Sequence, residues 1–160
     1  MRCLTEGLYR VGLQTVHGSF GGVVFGGTVE MEDGAMQFAH ACYRVNDLER
    51  SVDFYTNGLG LEEISRKPIR DEAINVFLGA PGDGARLELT YNFGRNEPYE
   101  IGTGYGHVAF TVSDLDGTLA ELAKRGISPE RPPYQVSAGG SRLCFVRDPD
   151  GYRIELIERT

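Results

Sequence analysis

A histidine and a glutamate recur in this chain at one fixed separation. His40 precedes Glu88 by 48 residues, His107 precedes Glu155 by 48, and the second pair lies 67 residues after the first. Glu88 sits in Arg86-Leu-Glu-Leu-Thr90 and Glu155 in Arg153-Ile-Glu-Leu-Ile157. A duplication that stays in register constrains the fold: each copy is one supersecondary unit, and neither can bury its apolar face alone. Two imidazoles and two carboxylates at equivalent positions also point to a metal site made of His40, Glu88, His107 and Glu155. For any one of these residues taken singly, a hydrogen-bonded core or edge position is the better reading. The repetition reverses that.

The copies can be followed element by element. Phe38-Ala-His-Ala-Cys-Tyr-Arg-Val45 and Tyr105-Gly-His-Val-Ala-Phe-Thr-Val112 alternate as strands do. Each runs into a helix start, Asn46-Asp-Leu48 or Ser113-Asp-Leu115, with capping side chains in place. Leu48, Val52 and Tyr55 then match Leu115, Leu119 and Leu122 as an apolar stripe. Gly58 and Gly126 are the expected helix ends. Further strands follow, the last two joined by turns at Pro81-Gly-Asp-Gly84 and Asp148-Pro-Asp-Gly151. Each unit therefore reads β-α-β-β-β, and the fold class is α+β, two tandem units forming a cupped mixed sheet around a small cavity. The boundaries are 36–102 for the first repeat and 103–160 for the second.

Residues 1–35 differ in texture. They hold 8 of the 22 glycines and no sustained period. The expectation for them is a loose arm or a leader from an upstream start codon; His17, which falls there without a ligand-like neighbour, is left out of the site.

Charge and cysteine usage exclude several function classes. A net charge of −7 disfavours nucleic acid and anionic membranes as partners. No apolar run approaches the roughly 20 residues that cross a bilayer, and no secretion signal is visible. Three cysteines without paired spacing fit reduced thiols in a cytoplasmic protein.

Period-2 geometry places His40, Cys42 and Arg44 on one face of the first strand and Ala41, Tyr43 and Val45 on the other. Glu88, Thr90 and Asn92 share a face, as do His107, Ala109 and Thr111. Charged residues inside otherwise apolar strands are costly unless paired or bound to something, so the polar faces are expected to line the cavity. Arg44 has two readings, an internal salt bridge or a cation left free to grip a ligand carboxylate.

These segments resemble glyoxalase I of the vicinal-oxygen-chelate superfamily, in its short bacterial form. The resemblance runs from Met36 to Glu158 and is carried by His40-x-x-x-Arg44-Val, Ser51-Val-Asp-Phe-Tyr55, Glu88-Leu-Thr-Tyr-Asn92, Gly102-Thr-Gly-Tyr-Gly-His107 and Asp148-Pro-Asp-Gly-Tyr-x-Ile-Glu155. It implies the glyoxalase fold and a lactoylglutathione lyase, which isomerises the methylglyoxal–glutathione hemithioacetal through an enediolate. It implies His40, Glu88, His107 and Glu155 as metal ligands, with Glu155 also the catalytic base. Arg44, Asn92 and His107 are the implied substrate contacts. One divalent ion per site is implied, nickel first and cobalt or zinc as substitutes. The implied assembly is a homodimer whose active sites combine both subunits.

The match departs at the substrate end. Ser137-Ala-Gly-Gly140 stands where the family often has a lysine, and Phe93 where it often has tryptophan. Glutathione is the default thiol, with another low-molecular-weight thiol as the alternative. Methylmalonyl-CoA epimerases of this fold typically carry glutamine in place of Glu88. Extradiol dioxygenases and fosfomycin-type thiol transferases use only one ligand glutamate. A metal-free drug-binding module has no need of all four donors.

Overall fold

The computed structural model describes residues 38–80, 82 and 84–159. The readings made for residues 1–35 lie outside them, as does part of the turn at Pro81-Gly-Asp-Gly84.

The element order follows the duplicated pattern. The first repeat contains β1 (His40–Arg44), α1 (Leu48–Asp53), a π-helical turn (Phe54–Gly58), β2 (Glu62–Ile69), β3 (Ala73–Gly79) and β4 (Arg86–Asn92). The second contains β5 (Val108–Val112), α2 (Leu115–Ala123), β6 (Tyr134–Gln135), β7 (Arg142–Arg147) and β8 (Arg153–Glu158). They build two four-stranded mixed sheets, ordered β1-β4-β3-β2 and β5-β8-β7-β6. In each, the first and last strands of the repeat pair in parallel and the others are antiparallel. The copies differ most at the far edge, where β2 has eight residues and β6 two.

Capping follows the residue chemistry. The Asp47 carboxylate accepts from the Arg50 amide at 3.1 Å and Asp114 from the Gly117 amide at 2.9 Å, each satisfying a donor that the first turn leaves open. Gly126 ends α2 in the left-handed region at φ 74°, as expected. Gly58 does not end its helix that way. The chain continues through the π-helical turn, and Gly60 carries the positive φ of 78°. Gly58 is the last residue of that turn and is also close-packed: a Cβ there would sit 3.1 Å from Leu122 Cδ2 on α2.

One apolar core serves both repeats, drawing Val45, Leu48 and Tyr55 from the first and Leu115, Leu122 and Leu156 from the second. Both sheets turn their helix-covered faces into it. The aspartates of Asp148-Pro-Asp-Gly151 tie the repeats together as well as making the turn. Asp150 accepts from the Asn46 amide at 2.8 Å and from the Ser51 hydroxyl at 2.8 Å, at the junction of β1 and α1. Asp148 accepts from the buried Tyr55 hydroxyl at 2.8 Å and from the amides of Asp150 and Tyr152. Tyr43 stacks on Tyr152 with ring centroids 4.2 Å apart. Its hydroxyl donates to Tyr105, which in turn donates to the Arg153 carbonyl. These contacts hold β1 against the start of β8.

Burial pushes the Asp148 carboxyl up to about 6, although the Tyr55 hydroxyl and the two amides pull the other way. The folded state thus holds more protons than the unfolded one between the ordinary carboxylate range and about 6, and stability falls as pH rises through that window. The ionised group costs about 3 kcal/mol above it. Asp148→Asn removes this titration. In urea unfolding, the stability of the wild type relative to the variant is expected to fall by about 2 kcal/mol between about pH 4 and about pH 7. A difference independent of pH would contradict the account.

Candidate metal centre

The alternation of β1 holds as expected: His40, Cys42 and Arg44 are exposed, while Tyr43 is buried against the core. Its parallel partner β4 brings Glu88 to the same face, and His40 Nε2 lies 2.9 Å from Glu88 Oε2. Glu88 is only 7% exposed. A buried carboxylate needs donors, and two supply them. Asn75 Nδ2 and Thr90 Oγ1, the latter at 3.2 Å, both donate to Glu88 Oε1. Cys42 Sγ lies 3.3 Å from the same threonine hydroxyl.

The second repeat reproduces the pair. His107 Nε2 is 3.1 Å from Glu155 Oε2. Each imidazole meets a phenylalanine edge-on, His40 against Phe77 at 5.5 Å and His107 against Phe145 at 5.3 Å. The registers agree: Phe77 is opposite Glu88 on the neighbouring strand, and Phe145 is opposite Glu155.

The expected quartet is therefore present as two pairs, one per sheet. Among the described residues no three His, Cys, Asp or Glu side chains come close enough to hold an ion. The cavity expected between the repeats also differs in character. Within one chain, that cleft is apolar, about 260 Å³, lined by Ala41, Leu78, Leu87, Val108 and Phe110, and none of the four donors borders it.

Each pair fits one edge of an ion's coordination shell. Nitrogen and oxygen ligands about 2.1 Å from a metal and at right angles are about 3.0 Å apart. The two observed separations, 2.9 and 3.1 Å, bracket that distance. Two imidazoles and two carboxylates without sulfur suit a divalent ion of borderline hardness.

Arg44 is exposed and makes no ion pair among the described residues. Asn92 is half-buried and donates to the Tyr99 hydroxyl at 2.7 Å. Sequence reasoning missed Asn75, Phe77 and Phe145. An amide inside Ala73-Ile-Asn-Val-Phe-Leu78 was the available signal, since such a strand has no use for an unpaired polar group.

The glyoxalase/bleomycin resistance protein/dioxygenase superfamily model matches residues 37–156. The chain belongs to that superfamily. A relative within it, the lactoylglutathione lyase GLX1 of Arabidopsis thaliana, is 40% identical over 126 residues, which is 77% of this chain and 44% of that one. The lactoylglutathione lyase of Escherichia coli O157:H7 is also 40% identical over 126 residues, covering 77% of this chain and 93% of the other. The crystal structure of glyoxalase I from Zea mays superposes with a TM-score of 0.70 at 38% identity, over 78% of this chain and 45% of that one. The chain thus spans less than half of these plant relatives and nearly all of the bacterial one. The superfamily's fold accounts for the two sheets. Among the described residues no helix is long and apolar enough to cross a membrane.

Proposed function

We propose that the protein is a metal-dependent lactoylglutathione lyase that isomerises the methylglyoxal–glutathione hemithioacetal to S-D-lactoylglutathione, detoxifying methylglyoxal in the cytoplasm. The observation that carries this reading is the matched Nε2–Oε2 contact in both repeats. The names of the plant and bacterial relatives support it. Because one chain offers two half-sites, the active form is a homodimer in which His40 and Glu88 of one copy face His107 and Glu155 of the other. Nickel is the ion assigned, with cobalt or zinc as substitutes.

The roles follow from chemistry. A bound divalent ion would supply Lewis acidity to the adjacent oxygens of the adduct, worth several kcal/mol toward loss of the C1 proton. Glu155 takes that proton and returns it to C2 by way of an enediolate. Its Oε1 has no partner among the described residues and is free to do so. Oxidation at C1 balances reduction at C2, so no redox cofactor enters. His107 borders the reacting carbons, while Arg44 and Asn92 hold the glutathionyl part. Arg44 lies four residues along the strand from His40, about 13 Å away, which suits a carboxylate remote from the reacting carbons.

The test is direct. Protein loaded with Ni²⁺ or Co²⁺ and given the preformed adduct is expected to generate thioester absorbance; a loaded sample that produces none contradicts the assignment. Arg44→Ala is expected to raise KM about 10- to 100-fold, the loss of one charge-assisted contact, with bound metal unchanged. Loss of metal with an unaltered KM would make Arg44 structural instead.

A further inference from the structure

The two half-sites are alike in their donors and unlike in what surrounds their carboxylates. Two residues beyond Glu88 on β4 stands Thr90, paired across to Asn75 on β3. The equivalent pair in the second repeat is Ile157 on β8 and Leu143 on β7. One glutamate has an amide and a hydroxyl beside it; the other has two aliphatic side chains. The consequence is visible in the hydrogen bonds. Both donors go to Glu88 Oε1, so that oxygen is occupied and only Oε2 remains to face His40. Glu155 touches His107 through Oε2 and has no other polar partner among the described residues.

Asn75 is also placed at a cost. Its Oδ1 is buried without a hydrogen-bond partner among the described residues, a state that destabilises the fold. Turning the amide over would only set Oδ1 against the carboxylate. Leucine, which the second repeat carries at this place, would avoid the cost entirely. An amide kept in such a position serves the neighbouring carboxylate.

We infer that Asn75, with Thr90, is a positioning residue that confines Glu88 to service as a one-oxygen metal ligand, and that the missing counterpart beside Glu155 is what leaves Glu155 mobile enough to carry the proton. The inference rests on the metal-dependent reading above and adds the division of labour between two otherwise equivalent glutamates. Outer hydrogen bonds of this kind orient a ligand and are worth roughly 10- to 100-fold in metal affinity.

The experiment compares full-length wild type, Asn75→Leu, Thr90→Val and Leu143→Asn. Ni²⁺ and Co²⁺ affinities are measured by chelator competition, the Co²⁺ absorption spectrum is recorded, and the thermal midpoint of the metal-free form is followed. Asn75→Leu is expected to weaken metal binding about 10- to 100-fold and alter the Co²⁺ bands, while the metal-free form still unfolds in one cooperative transition. Asn75→Gln, which restores an amide, is expected to recover part of the affinity. Thr90→Val is expected to shift affinity in the same direction by a smaller factor, and it carries the test if Asn75→Leu fails to fold. Leu143→Asn gives Glu155 the donor it lacks and is expected to lower kcat about 10-fold or more without weakening metal binding. Affinity within about twofold of wild type in both Asn75→Leu and Thr90→Val overturns the inference. Wild type that binds neither ion overturns the underlying metal reading instead.

Discussion

Glu155→Gln is expected to lower kcat by about 10²- to 10⁴-fold, the usual contribution of a positioned proton-transfer group. The substitution keeps the shape of the side chain and removes its capacity to accept a proton. The fold has little stake in it. On β8 it is Ile154 and Leu156, on either side, that are buried in the core, while Glu155 lies on the opposite face. Thermal unfolding of the metal-free variant should therefore match wild type, and metal content measured on the same sample separates loss of the base from loss of the ion. Turnover near normal in a metal-loaded Glu155→Gln protein would remove this residue as the base.

His40→Ala is expected to cost about 10³-fold or more in activity, because several kcal/mol of Lewis-acid assistance leaves with the ion. The His40 side chain is 42% exposed and rests against Phe77 at the sheet surface, so its removal opens no cavity in the core. Metal analysis after dialysis is expected to find the variant stripped and the wild type occupied. Full occupancy in His40→Ala would show that the contact with Glu88 is an ordinary hydrogen bond and not half of a ligand set.

Much of this could be read from local pattern. The duplication, the β-α-β-β-β order, the faces of β1 and the aspartate caps at Asp47 and Asp114 all depend on residues a few positions apart, and periodicity reports such relations directly. What sequence reasoning lost depends on distant partners. Asp148 and Asp150 look like turn residues; that they also reach Tyr55, Ser51 and Asn46 follows from the packing of one repeat on the other. Gly58 reads as a helix stop and does end the helical run, but its close packing against Leu122 in the other repeat is not visible in the sequence. Asn75 lies in an apolar run and acquires meaning only through Glu88 on the next strand. The two His–Glu pairs were legible along the chain, but spacing says nothing about whether twin halves of one molecule, or halves of two molecules, come face to face.

Mixing two inactive variants decides that last point. Were His40→Ala and Glu155→Gln proteins denatured together and refolded, half of the dimers would pair one of each. In a site shared between copies, every such dimer holds one doubly damaged site and one with all four native donors. Roughly a quarter of wild-type activity is then expected to return, with one metal ion per mixed dimer. If the mixture stays as inactive as its components while each variant refolds and dimerises, the ion is not held between two copies and the account of the centre is wrong.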